Sequence, residues 1–415
     1  MIGPDRSVDV IVIGGGPAGS TTAAFLAEAG FSVVVLEREK FPRYHIGESL
    51  IPGCLPVVRD LGLWDRLADS QPTKKYGATL LWGEEDSTWG FRFADGTAFE
   101  YSYQVRRADF DSLLMTRARE LGAQVIEEAV VKRVEFDGER ATGVSFTRKG
   151  NDEVERLHSA MVVDASGQGR IMSRQLDLVE WHEDLRNIAV WNYYQGCDLL
   201  EGDKAGDVLI EHRPEGWFWF IPLNDGTVSI GYVTSTKAMK ESGRSPEELF
   251  ESERRSSQEV LRLMTKAEPV GAFRTARDWS YTSRRFHGPG WVLVGDAGAF
   301  VDPLFSTGVT LAMRGARSCS KAVEVALRNP EAQAEVLDVY EARYREFLRA
   351  VLDFVRFFYK TDKTREDYWA EAQDIIDPDK VQAPHEDFST LLSGLADLIS
   401  ADFSLDIKLE EALGS

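Results

Sequence analysis

Asp9–Gly19 reads DVIVIGGGPAG, an apolar run of strand length that breaks into glycines. Gly14, Gly16 and Gly19 fall in a G-x-G-x-x-G register. In that pattern the first glycine lets the chain turn tightly, the second lets the backbone approach a pyrophosphate, and the third lets a following helix pack closely on the strand. Ser20–Gly30 carries helix formers, and Phe31–Leu36 is a second β-branched run that ends at Glu37. The spacing predicts one βαβ unit. Its helix N-terminus offers unpaired amides to an anion, and its second strand delivers a carboxylate to a ribose.

The chain of 415 residues is long enough for one large α/β domain with a second domain inserted. With 43 % hydrophobic and 28 % charged residues it has the composition of a soluble globular protein. A formal net charge of −20, with no basic run to offset it, repels nucleic-acid phosphates and anionic lipids. Neither nucleic acid nor membrane is an expected partner. Cys54, Cys197 and Cys319 are widely spaced and make no CxxC pair, so no metal is expected and a reducing cytoplasm fits. The N-terminal apolar run breaks at Gly14, which reads as a strand and not as a signal or anchor.

Further along, a helix is expected over Phe110–Leu121, closed by Gly122, with strands near Gln124–Phe136, Ala141–Phe146 and Ala160–Asp164. Strand signals dominate residues 180–285, where Asn224-Asp225-Gly226 reads as a hairpin turn. Trp291–Val294 repeats the buried-strand pattern and runs into GDAGAF, and a helix is expected from near Thr307 to Leu327. Pieces of one nucleotide-binding sheet thus come from separate parts of the chain. The expected α/β fold has a Rossmann-like domain over residues 1–330, in segments of about 1–75, 100–180 and 270–330. An antiparallel β-sheet substrate domain is interleaved at about 76–100 and 181–269, and a helical C-terminal region follows at 331–415.

Gly216–Pro222 reads GWFWFIP, four aromatic residues in a row where a half-buried strand would alternate apolar with polar. A strand alternates its side chains, so Trp217 and Trp219 are expected on one face and Phe218 and Phe220 on the other. The stretch can then be core and site wall at once.

Longer segments carry a family resemblance. GDAGAFVDP at 295–303, with Asp296 at the tip of a strand, and VVDASGQGR at 162–170 resemble the two later flavin segments of flavoprotein hydroxylases, which makes FAD the expected cofactor. Arg107 in RRADFD matches a position where that group holds its flavin; an exposed arginine in a capped turn is the plain alternative. Three further matches resemble the flavin-dependent halogenases, the pyrrole and phenol branch more than the tryptophan branch. They are WxWxIP (Trp217, Trp219, Ile221, Pro222), FxxPxxSxG (Phe300, Pro303, Ser306, Gly308), and the Lys75-Tyr76-Gly77 triplet after HIGESLIPG at 45–53.

The resemblance implies that reduced FAD, supplied by a separate flavin reductase, and dioxygen convert halide into hypohalous acid. The acid travels to a lysine beside an electron-rich aromatic ring, expected to be carried on an acyl or peptidyl carrier protein. Lys75 is the expected catalytic lysine, with a solvated surface charge as its bland alternative. Lys74 is the neighbour that an extended chain would turn the other way. Gln71, where relatives carry an apolar residue, leaves the local register open. The implied cofactor contacts are Gly14, Gly16, Pro17, Ala18, Gly19, Glu37, Arg38, Glu48, Ser49, Arg107, Asp296, Pro303, Gly308 and Val309. Glu48 and Ser49 read equally well as the start of a helix. Ser306, Thr307 and Gly308 are the implied halide end, where unpaired helix-start amides suit an anion and side-chain capping is the plain alternative. The tryptophans would separate flavin from substrate. An aromatic monooxygenase and a geranylgeranyl-reductase-like flavoprotein share the fold as alternatives, but neither has a use for the Lys75 arrangement.

Overall fold

In the computed structural model, residues 7–394 are described, apart from 86 and 378. They form two eight-stranded sheets and a two-stranded ribbon. In the first sheet Ser7–Ile13 is central, parallel on one side to Val33–Leu36 and on the other to Asn151–Asp164. Gln124–Ile126 and Trp291–Leu293 extend it in parallel. Val10, Ile11, Val12 and Val33–Leu36 are buried, as a parallel sheet covered on both faces requires. The helix Pro17–Glu28 starts directly after the glycines, with Pro17 at the position where a missing N–H costs nothing. The expected helix of residues 110–121 runs Arg107–Glu120.

The second sheet is mainly antiparallel and holds the expected aromatic strand, Gly216–Pro222, which turns at 224–226 into Val228–Ser235. It differs from expectation at one border. Glu268–Ser283 is a single strand paired along Val179–Gln195, so the second sheet continues well past residue 269 before the chain returns to the first. The alternation of GWFWFIP falls as expected: Trp217, Trp219 and Ile221 join the large core shared with the first sheet. Phe218 and Phe220 join a separate core with Leu249, Phe250, Val260 and Leu263. Phe218 is fully buried, which contributes about 1.5–3 kcal/mol.

The helix Gly308–Arg328 packs against Pro17–Glu28 and is covered by Gln333–Phe358. Arg365–Ile376 and Pro384–Leu392 follow and lie across the edge of the second sheet, with Phe388 against Trp89 and Phe91. The expected helical region is thus described to residue 394; the remainder lies outside the described residues. No helix among the described residues is long and apolar enough to cross a membrane.

Candidate functional site

A cavity of about 400 Å³ runs from the glycine turn, past the ends of the parallel strands, to the second sheet. Gly14 must be glycine: its φ is +97°, and a Cβ would meet the Ala165 carbonyl oxygen at 2.5 Å. Gly16, Pro17 and Ala18 line the cavity with Gly14, whereas Gly19 packs behind against Gly14 and is not in its wall. Glu37 accepts the N–H of Gly15 at 2.7 Å and of Glu39 at 2.8 Å. A carboxylate has lone pairs left for a ribose after those two bonds. Arg38 reaches the cavity rim with its side chain mostly exposed.

Arg107 is buried and not an exposed residue of a capped turn. It clamps Asp111 bidentately at 2.8 and 3.0 Å and donates to the Ile46 carbonyl at 2.7 Å. Sequence reasoning missed Arg43, which lies in the cavity wall 3.1 Å from Asp111. It also missed His45, whose imidazole is pushed down to about 4 by burial and the Arg107 charge and is therefore neutral. No spacing pattern marks either residue.

At the second-sheet end the wall is made by Trp191, Trp217, Trp219 and Ile221; Pro222 is not part of it. Trp219 crosses Gly231, where a Cβ would sit 2.2 Å from the indole. The two tryptophan rings lie 6.2 Å apart, and Trp217 Nε1 donates to the Tyr359 hydroxyl at 2.9 Å. That hydroxyl donates in turn to Asp302 at 3.1 Å. Burial lifts the Asp302 carboxyl to about 6 and that of Asp296, also in the wall, to about 7.

Glu48 and Ser49 do not start a helix; the nearest turn begins at Pro52, and Ser49 instead bridges to Gln104. Glu48 lies in the cavity wall and accepts the Tyr193 hydroxyl at 2.6 Å, while burial raises its carboxyl.

Helix Gly308–Arg328 begins at the cavity without a side-chain cap, so the capping alternative for Ser306 and Thr307 is not what forms. Ser306 instead adopts a left-handed conformation, φ +58°, unusual for a residue with a Cβ. Pro303, Ser306, Gly308 and Val309 line the cavity; Thr307 is buried outside its wall.

Lys75 occupies a smaller chamber of about 10 Å³ that shares Val208, Ile210, Leu304 and Ser306 with the large cavity. It is 2 % exposed, so it is no surface charge. Its Nζ donates to Ser49 Oγ at 2.8 Å and lies 5.5 Å from the Phe93 ring centre. Burial brings its ammonium down to about 7, opposed by Asp207. Lys74, on the opposite face of the ribbon Thr73–Lys75, is exposed and sits 4.2 Å from the Tyr101 ring centre. Gln71 lies just before the ribbon in a left-handed conformation, φ +50°. Leu392 of the last described helix completes the chamber wall, a contact no local pattern announces.

Comparison with known proteins agrees with this geometry. The profile of the FAD binding domain matches residues 7–355. A tryptophan 2-halogenase of Chondromyces crocatus is 35 % identical over 405 residues, 94 % of this chain and 76 % of that protein. The chain belongs to the flavin-dependent halogenases. Another member, the 1H-pyrrole-2-carbonyl-[peptidyl-carrier protein] chlorinase of Pseudomonas fluorescens, is 31 % identical over 86 % of this chain and 84 % of its own. Among solved structures, the myxobacterial chondrochloren halogenase CndH superposes with a TM-score of 0.81 at 31 % identity, covering 95 % of this chain and 97 % of that one. This halogenase is therefore a flavoprotein oxidoreductase that uses FAD and halide. The cavity fits that cofactor: it joins a glycine turn and Glu37 at one end to an uncapped helix start at the other, with buried Arg107 between.

Proposed function

We propose that the chain halogenates an electron-rich aromatic ring of the phenol or pyrrole type, presented by an acyl or peptidyl carrier protein, with Lys75 directing the halogen. The observation that carries this reading is the placement of Lys75, a buried amine in a chamber that adjoins the FAD cavity across four shared residues. Gly14, Gly16, Pro17, Ala18, Glu37, Arg38, Arg107 and Asp296 would hold the FAD, and the helix start at Ser306–Val309 would hold the halide. When bound and reduced, FAD supplies two electrons and the halide two more to dioxygen, giving hypohalous acid and water. Trp217, Trp219 and Ile221 keep the aromatic ring out of the cavity while the small acid passes the shared wall. Lys75 then binds it at Nζ, either as an ammonium hydrogen bond or as a chloramine, and aims the halogen at one carbon. A carbon–halogen bond forms, the ring proton leaves, and water is the other product.

Support for a tethered ring comes from the pyrrolyl-carrier chlorinase, with which the chain shares 31 % identity. The basic residues that could meet an acidic carrier, in RSCSK at 317–321 and at Arg284 and Arg285, are engaged: Arg317 pairs with Asp60 at 3.1 Å, Lys321 with Glu324 at 3.9 Å, Arg284 with the Asp177 carbonyl, and Arg285 lies over the Trp291 ring. Docking would therefore compete with these bonds. The test is to supply FAD, a separate flavin reductase, NADH and chloride or bromide with free and carrier-bound phenols and pyrroles, then look for halogen isotope patterns by mass spectrometry. Halogenated product is expected. Hydroxylated product without halogen would overturn the reading, and turnover of free rings alone would overturn the carrier.

A further inference from the structure

We propose that Asp207 is the positioning residue of Lys75: its carboxylate fixes the backbone that follows the lysine and is thereby held where its charge supports the ammonium. The consequence for catalysis rests on the reading of Lys75 given above; the hold of Asp207 on the backbone beside the lysine stands on geometry alone.

Asp207 is 2 % exposed and directly precedes the strand Val208–Arg213, which runs parallel to Gly77–Leu81 with Val208 beside Ala78. Its Oδ1 accepts the N–H groups of Tyr76 at 2.8 Å and Gly77 at 2.9 Å, the two residues after Lys75. Its Oδ2 accepts Arg92 Nη1 at 3.0 Å, and Arg92 lies opposite Gly77 across the ladder. From the other strand of the ribbon, Gln104 Nε2 donates at 3.1 Å to the carbonyl of Gly206. The ribbon that carries Lys75 is thus tied on both strands to the one turn at 206–207. With both oxygens held, the carboxylate cannot rotate away from the lysine's backbone.

The charges around Lys75 point the same way. From the turn Pro52–Cys54 comes the Cys54 thiol, which burial pushes up to about 12 and so keeps neutral. Glu48, beside Ser49, faces Tyr193 and Arg106. Arg92 divides its guanidinium between Asp207 and Asp203. Ile51, Phe305 and Leu392 are the apolar contributions of the neighbouring elements. Of these acidic groups, Asp207 is the carboxylate whose charge supports the ammonium; burial raises its own carboxyl, and Arg92 and Lys75 oppose that rise. A buried ammonium is unfavourable without such a partner.

The test follows the Lys75 Nζ directly by ¹⁵N NMR in FAD-loaded protein labelled with ¹⁵N-lysine, the signal being assigned by its absence in Lys75→Arg. Asp207→Asn keeps an acceptor for the Tyr76 and Gly77 N–H groups but removes the charge. Its Lys75 midpoint should fall by about one pH unit, a tenfold loss of proton affinity. The limb of the kcat/KM profile that Lys75→Arg removes should move by the same amount in the same direction. Arg92→Gln, which removes the competing cation, should move the midpoint upward, and it carries the test if Asp207→Asn does not fold. An unmoved midpoint in Asp207→Asn, or an unmoved or lowered one in Arg92→Gln, overturns the proposal. Halogenation that survives Lys75→Ala would instead sink the reading of Lys75 and leave the coupling standing.

Discussion

At the scale of single residues, Lys75 carries the sharpest consequences. Its amine titrates near 7, so halogenation should change across pH 6–8, and the direction identifies the working form. Activity that rises with pH marks the free amine; activity that falls marks the ammonium. Lys75→Ala should lower halogenated product by at least about 100-fold, the lower bound for a lost acid–base or nucleophilic group, while NADH oxidation in the coupled assay continues. Lys74→Ala should leave halogenation near normal, since its exposed ammonium rests on Tyr101. Chromatography of the product against NADH consumed reads both. That only one of the two lysines turns inward was legible beforehand, because neighbouring side chains on an extended strand must part; that it is Lys75 came from the resemblance of the Lys75-Tyr76-Gly77 triplet. Asp207 was not, because nothing local connects residue 207 to residue 75. Arg43 was invisible for the same reason, and His45, though it opens the HIGESLIPG stretch, had no role assigned: polar residues in a loop gain their meaning from what folds against them.

The element that matters most is the strand Gly216–Pro222. Its two-faced character could be read from period two alone, and the two separate cores bear that out. What the period does not reveal is how Trp219 is held, flat over Gly231 of the next strand. Gly231→Val should displace the indole at that contact. Small residues at both Trp217 and Trp219 should let oxygenated product appear where wild type gives only halogenated product, as mass spectrometry would show. On the opposite face, Phe218→Ala should destabilise the fold by about 3–5 kcal/mol without changing which product forms, read as a lowered Tm with unchanged product identity. The border of the second sheet was misjudged because Glu268–Ser283 is one long strand, whose pairing with Val179–Gln195 reflects tertiary context and not composition.

For the whole molecule, buried acids set how stability varies with pH. Asp302 titrates near 6 in the folded chain and near 3.8 when unfolded, so its contribution is present at low pH and lost as pH rises through 6. Asp296, near 7, acts in the same sense. His45, pushed down to about 4, and Lys75, brought down to about 7, act in the opposite sense. The Asp302 contribution is therefore read by difference: in thermal melts of cofactor-free protein, Asp302→Asn should gain more melting temperature over wild type at pH 7.5 than at pH 5.5. A second expectation concerns access. The chamber beside Lys75 has room for about one water, so an aromatic ring enters only when its wall moves, and we expect Leu392, on the last described helix, to be the part that yields. Leu392→Ala should raise kcat/KM for free aromatic rings several-fold, measured across rings of increasing size.

The end of the helix Pro384–Leu392 is anchored twice more. The Gly53 N–H donates to the Ser393 carbonyl at 2.7 Å, and Arg314 Nη1 donates to the Gly394 carbonyl at 2.9 Å. Arg314 belongs to the helix Gly308–Arg328, whose uncapped first turn faces the cavity. A displacement of Leu392 that carries Gly394 with it therefore strains a bond to that helix. With the function proposed above, admission of the ring would be mechanically linked to the helix proposed to hold the halide, which would give the molecule a means of timing: a corrosive acid need not be released before there is something for it to react with.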